Sequence, residues 1–227
     1  GVFRRQRQMC IRDRSMSIVN PSYGTQIGEV IYATKNSTDK AIEAAEKTFK
    51  TWSKTGLSYR AELMMKLRQG VINKSEEIID ICVSEGGKTR PDAEAELDRA
   101  IQALTHIAGV QHFYPSIMSP NVAGGIDITD IRYPIGVVAG CGPFNFPILI
   151  PILHASMAIV TGNTFIAKPS EKVPSISRLY ADIFKESGFP DGCYSVLNGG
   201  KDIVQQLVCH EKVAGLAFIG STPVAKS

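Results

Sequence analysis

The second half of the chain alternates short apolar runs with helical segments, and few folds accommodate that grammar. Residues 135–139 form an apolar run bounded by glycines, 147–160 is a helical segment opened by Pro147, and 164–168 is a strand stopped by Pro169. A helix over 174–187 follows, with Gly188 behind it, then a strand over 194–197, a helix over 202–208, a strand over 213–219 and a further helix from Ser221. Four apolar strands separated by helical stretches of roughly 10–15 residues are the pattern of stacked βαβ units. A strand covered on both faces has no polar side to show, so continuous apolar runs predict a parallel sheet with helices on both faces.

The first half reads differently, and the change falls near residue 125. Ser37 or Thr38 can cap a helix whose Ile42, Ala45, Phe49 and Trp52 follow the i, i+3, i+7, i+10 spacing of one buried face. Ser58 opens a second helix through Leu63, Leu67 and Val71. Ser75 starts a third, with Glu76 and Glu77 in the first turn where the helix dipole favours acids, and Gly86-Gly87 ends it. Pro91 suits a first helical position, and Leu97, Ile101, Leu104 and Ala108 carry a stripe to about Tyr114. Residues 27–32 read as a strand, and Gly124-Gly125 leads into the alternating Ile126, Ile128 and Arg132 of another. The expected organisation is a tail over 1–14, a helical segment with strands over 15–125, and a Rossmann-like domain over 126–227 that is truncated at its carboxyl end.

Charge and composition exclude several partners. The net charge is +3, but Arg4, Arg5, Arg7, Arg12 and Arg14 stand against Asp13 alone in the first fourteen residues, which leaves the rest of the chain at −1. That balance carries no electrostatic footprint for nucleic acid. The longest apolar run, 146–160, is broken by Pro147, Pro151, His154 and Ser156, so a stretch of about 20 apolar residues is missing and no membrane span is expected. The tail has no apolar core of a secretory signal. Its string MCIRDRS, Met9 to Ser15, looks like translated sequencing-adapter read-through, so residues 1–14 are expected to be non-native and to lie free of the fold, a basic arm being the alternative. Five cysteines, at 10, 82, 141, 193 and 209, form no C-x-x-C pair and share no clustered histidine spacing. They read as reduced thiols of a cytoplasmic protein, and His106, His112 and His154 as packing or surface residues, with no metal expected.

In open α/β sheets ligands bind beyond the carboxyl ends of the strands, so the informative segments are 140–146, 168–172, 198–201 and 220–221. Gly140-Cys141-Gly142 begins a G-x-G-x-x-G pattern, but Asn145 holds the third glycine position, and the plain dinucleotide fingerprint fails. The combined wording is more specific. Pro143-Phe144-Asn145-Phe146-Pro147, Gly162-Asn163-Thr164-Phe165 running into Lys168-Pro169-Ser170-Glu171, Gly188-Phe189-Pro190-Asp191-Gly192 and Phe218-Ile219-Gly220-Ser221-Thr222 resemble, in order and spacing, the cofactor half of the aldehyde dehydrogenase superfamily. The likeness extends upstream through Asn20-Pro21 with Gly28-Glu29-Val30, Ala44-Ala45 with Trp52, and Glu85-Gly86-Gly87-Lys88-Thr89. Within the superfamily, Phe144-Asn145-Phe146, the segment 162–174 and Asp92-Ala93-Glu94 look most like the methylmalonate-semialdehyde dehydrogenase group.

The resemblance implies roles that each residue's chemistry can carry. Asn145 can donate its side-chain NH₂ to the oxygen that gains charge when a thiolate attacks an aldehyde, the alternative being an Asn that pins its own turn. Lys168 and Glu171 would hold the adenine ribose hydroxyls, with Glu171 favouring NAD over NADP because a carboxylate repels a 2′-phosphate; a solvated Lys and a first-turn Glu are the alternative. Lys172 would border the same pocket or be a plain exposed lysine. Gly220 and Ser221 would present backbone N–H groups to a pyrophosphate, unless Ser221 is an ordinary helix cap. Gly142 and Phe144 would line the nicotinamide side, or form a structural turn. The family's nucleophile is a cysteine in a later glycine-rich segment, and none of Cys82, Cys141, Cys193 or Cys209 has a matching context.

The chain is therefore expected to be the amino-terminal, cofactor-binding part of an NAD-dependent aldehyde or semialdehyde dehydrogenase whose thioester is released by water or by CoA as co-substrate. The parent would act on a small-molecule aldehyde as a homo-oligomer, while the chain alone would not turn over. The rival expectation is a non-catalytic dinucleotide-binding or interaction module.

Overall fold

The computed structural model describes residues 14–225. The expectation for the tail lies outside the described residues except at Arg14, whose carbonyl accepts from the Tyr32 N–H at 2.8 Å and whose guanidinium pairs with Asp202 at 3.1 Å. The chain opens with an antiparallel hairpin, β1 (Ser15–Asn20) and β2 (Thr25–Ile31). Helices α1 (Lys35–Trp52), α2 (Leu57–Asn73), α3 (Ser75–Gly86), α4 (Arg90–Ala108) and the single turn α5 (Val110–Phe113) follow. A second antiparallel hairpin, β3 (Ile117–Ala123) and β4 (Ile126–Asp130), is exposed along its whole length. Then come β5 (Val137–Cys141), α6 (Leu149–Val160), β6 (Thr164–Lys168), α7 (Ser175–Glu186), β7 (Tyr194–Val196), α8 (Lys201–Cys209), β8 (Val213–Phe218) and α9 (Thr222–Ala225).

The last four strands form one sheet in the order β7-β6-β5-β8, and every pair in it is parallel. Side chains along a strand alternate between faces, so each strand feeds two cores. Phe165 and Ala167 of β6 enter a core with α6 and α7, which also takes in Trp52, α2, α3 and α4. Ile166 of β6, with Val137 and Ala139 of β5, enters a second core against Ile42 and Ala45 of α1 and Ile203 and Leu207 of α8. The expected parallel sheet with helices on both faces is what the chain forms. Two buried bonds fasten α1 in place: the Trp52 indole donates to the Ile159 carbonyl of α6 at 3.0 Å, and the Thr164 hydroxyl of β6 donates to the Ala45 carbonyl at 3.2 Å.

Several boundaries differ from the sequence reading, each for a local reason. The cap of α1 is Thr34: its hydroxyl accepts from the Ser37 N–H while Ser37 accepts from the Thr34 N–H, a reciprocal capping box that places Ser37 and Thr38 inside the helix. Helix α2 is entered from Gly56 without a side-chain cap, and α6 begins after Pro147, which stays in the preceding turn. The run 135–139 becomes a strand only from Val137, because Asn163 Oδ1 accepts from both the Ile135 and Gly136 N–H groups and holds that stretch out of the ladder. Gly87 closes α3 with φ +67, and a Cβ there would approach Pro21 to 2.6 Å, so the stop read at Gly86-Gly87 is enforced twice.

Candidate functional site

The carboxyl ends of β5, β6 and β8 bring the marked residues to one edge of the sheet. Strand β5 lies between β6 and β8, and the connections leave it in opposite directions, with α6 and α7 on one face and α8 on the other. Such a reversal opens a crevice above the strand ends where ligands of open α/β sheets bind. Two backbone bonds draw the three ends together: the Gly142 N–H donates to the Lys168 carbonyl at 3.1 Å, and the Ile219 N–H to the Cys141 carbonyl at 3.4 Å.

Lys168 is buried despite its charge, and its Nζ donates to Glu171 Oε2 at 3.2 Å. Burying a lone ammonium is costly, and the carboxylate offsets that cost. The ion pair thus stands formed at the end of β6, with Glu171 half-buried. The next residue, Lys172, is exposed and lays its Nζ 4.6 Å from the centroid of the Phe144 ring, so the turn after β6 leans a cation on the turn after β5. Gly142 is half-buried; a Cβ there would meet Pro151 at an ordinary 3.4 Å, and its backbone bond to Lys168 is its visible contribution. Asn145 is exposed between the exposed rings of Phe144 and Phe146, and its side chain makes no hydrogen bond to another described residue. It therefore does not pin its own turn. Gly220 and Ser221 are exposed on the other side of β5, and their N–H groups donate to no described residue.

The helix N-termini at this edge are not equivalent. Glu96, from α4, accepts from the Ile148 and Leu149 N–H groups at 2.8 Å each, which occupies the start of α6. Glu85, from α3, accepts from the Ser175 N–H at 3.2 Å and occupies the start of α7; burial holds its carboxyl above the ordinary range. The starts of α6 and α7 are thus both taken by the protein's own carboxylates, while the start of α8 and the Gly220-Ser221 turn carry no such side-chain partner.

The three buried thiols, Cys82, Cys141 and Cys193, are unsuited to attack. Burial raises Cys141, with partial relief from the Lys168 charge; it pushes Cys82 up to about 11 and raises Cys193 further. A neutral thiol is a poor nucleophile. Burial also lowers His154, and no group of three metal-ligating side chains forms among the described residues. Sequence reasoning missed Glu96 and Glu85. Glu96 had a signal: it shares the apolar stripe of Ala93, Leu97, Ala100 and Leu104, where a carboxylate must find a partner.

The model of the family described as "Aldehyde dehydrogenase family" matches residues 10–227. The malonate-semialdehyde dehydrogenase of Bacillus pumilus is 38% identical over 210 residues, which cover 92% of this chain and 43% of that protein. The crystal structure of methylmalonate-semialdehyde dehydrogenase from Oceanimonas doudoroffii superposes with a TM-score of 0.92 at 36% identity, covering 97% of this chain and 45% of the other. A Sinorhizobium meliloti structure, described as a candidate methylmalonate-semialdehyde dehydrogenase complexed with NAD, gives 0.92 at 34% identity, again covering 97% and 45%. The chain spans less than half the length of these relatives.

Proposed function

The chain belongs to the aldehyde dehydrogenase family, and from that membership we propose that it supplies the cofactor-binding part of an NAD-dependent aldehyde or semialdehyde dehydrogenase. The observation that carries the reading is the convergence of the Lys168–Glu171 pair, the unengaged Asn145 amide and the open Gly220-Ser221 turn on one strand-end crevice. The similarity to malonate- and methylmalonate-semialdehyde dehydrogenases favours a small acidic aldehyde as substrate.

The residues fit a dinucleotide. Lys168 Nζ offers further donors for ribose hydroxyls beside the accepting Glu171 carboxylate, and the free N–H groups of Gly220 and Ser221 suit a pyrophosphate. Gly142 and Phe144 after β5, and Lys172 after β6, border the crevice. NAD, when bound, supplies the acceptor for the hydride that leaves the aldehyde carbon. Asn145 acts at that carbon's oxygen: as a cysteine thiolate of the complete enzyme forms its C–S bond, the carbonyl π pair moves onto oxygen, and the amide N–H donates to the charge. The acyl group then passes from sulfur to water or to CoA. A cytoplasmic enzyme keeps free thiols, and the four described cysteines are free. No described helix is long and apolar enough to cross a membrane. The exposed apolar residues of the β3–β4 hairpin, Ile117, Met118, Val122, Ile126 and Ile128, support a homo-oligomer in which this hairpin is covered.

The test is oxidation of malonate semialdehyde and methylmalonate semialdehyde by the complete enzyme, followed by NADH absorbance. Asn145→Ala should lower kcat by about 10²–10³ with the NAD dissociation constant unchanged. Saturable NAD binding without oxidation of any aldehyde would instead identify a non-catalytic dinucleotide-binding module.

A further inference from the structure

Asn145 is an exposed side chain that makes no hydrogen bond of its own among the described residues, yet an oxyanion donor must be held to within a fraction of an ångström. Something else has to fix the turn that carries it. The Ile148 main chain, three residues on, is gripped from both sides: its N–H donates to Glu96 Oε1 at 2.8 Å, and its carbonyl accepts from the buried Tyr180 hydroxyl at 2.8 Å. Glu96 takes the Leu149 N–H as well, so one carboxylate oxygen satisfies two of the orphan donors at the start of α6. Its other oxygen, Oε2, pairs with Lys88 Nζ at 2.5 Å. The Glu96 side chain is 1% exposed and that of Lys88 21%, so water screens this pair weakly.

Lys88 closes the circuit. Its Nζ also lies 4.6 Å from the centroid of the Phe146 ring, the residue directly after Asn145. A single cation from the loop between α3 and α4 therefore holds both the carboxylate that anchors the Ile148–Leu149 backbone and the aromatic ring adjoining the amide. On the other flank of the turn, Lys172 over Phe144 makes a similar cation–π contact from an exposed position. Of the two cations, only Lys88 is tied into the buried network.

We propose that Lys88 and Glu96 are positioning residues for Asn145: Glu96 anchors the main chain of the turn that carries it, and Lys88 couples that anchor to the Phe146 ring beside the amide. The inference rests on the oxyanion role of Asn145 given above. A network that aims a catalytic group costs catalysis when loosened, without removing a substrate or cofactor contact.

The test is a double-mutant cycle in the complete enzyme, with malonate semialdehyde and NAD as probes. Lys88→Met keeps the aliphatic stem and removes the charge. It should lower kcat about tenfold or more, with KM for the aldehyde and the dissociation constant for NAD little changed. In an Asn145→Ala background the same substitution should cost nothing further, because the group it aims is gone. Lys88→Arg, which keeps the cation, should restore most of the rate. Glu96→Gln retains an oxygen for the two N–H groups while losing the ion pair, and should follow Lys88→Met. Equal loss from Lys88→Met in both backgrounds, or no loss in either, overturns the positioning role while leaving Asn145 as the oxyanion donor. Full activity of Asn145→Ala overturns the oxyanion role itself, and the positioning role with it.

Discussion

At the scale of single residues, burial separates the four described thiols into two kinds. Cys82, Cys141 and Cys193 are buried with raised pKa, whereas Cys209 is exposed. A maleimide or disulfide reagent at pH 8 should modify Cys209 and spare the other three within the same time, as peptide mapping by mass spectrometry would record. Because the Cys82 thiolate is disfavoured up to about 11, its labelling should rise only in strongly alkaline buffer. Rapid modification of Cys141 at pH 8 would contradict this picture and reopen it as a nucleophile. The residues of the crevice divide along similar lines in what the sequence discloses. Asn145, Lys168 and Glu171 lie at or within a few residues of strand ends, which marks their segments, and the family resemblance implies their roles. Glu96 is one carboxylate within a helix rich in acids, and its two backbone partners lie 52 and 53 residues away. No local pattern encodes a partner at that distance.

At the scale of elements, helix α1 offers a clean contrast between two threonines four residues apart. Thr34 is exposed and makes the capping box, so Thr34→Ala should destabilise the protein by about 0.5–2 kcal/mol. Thr38 is fully buried, and its hydroxyl has no hydrogen-bond partner. Thr38→Val removes that unsatisfied group at nearly constant shape and should leave stability unchanged or raise it. Denaturant midpoints at constant m decide both; a loss at Thr38→Val as large as at Thr34→Ala would mean that the cap has been misassigned. Elements with a strong period were legible: α1, α3 and α4 carry one-sided apolar stripes, and β5, β6, β7 and β8 are apolar runs bounded by Gly or Pro. The partner strands β1 and β3 were not. β3 is exposed throughout and so lacks the alternation that burial imposes, whereas β1 alternates but buries only Ile18, too little apolar signal to mark a strand in the sequence.

At the scale of the whole molecule, the amino-terminal helices and the parallel sheet share one core, in which Trp52, Leu67, Ile78 and Leu104 pack with Ile152, Phe165 and Tyr180. The change of grammar near residue 125 was visible in the sequence; that α1 would supply the second face of the sheet was not, since the Thr164–Ala45 bond spans 119 residues. This arrangement carries the two glutamates onto the starts of α6 and α7 beside the crevice. The proposed function has this crevice hold NAD through Lys168 and Glu171. Its most direct test is equilibrium titration of the complete enzyme with NAD and with NADP. Glu171→Gln should weaken NAD modestly and relieve the repulsion of a 2′-phosphate carrying about −1.5 to −2 charges, so the preference for NAD should narrow. Lys168→Ala should weaken both cofactors about tenfold or more, as loss of a charged donor worth about 1.5–3 kcal/mol requires. An NAD/NADP ratio unmoved by Glu171→Gln, with affinities unmoved by Lys168→Ala, would rule out both residues as cofactor contacts.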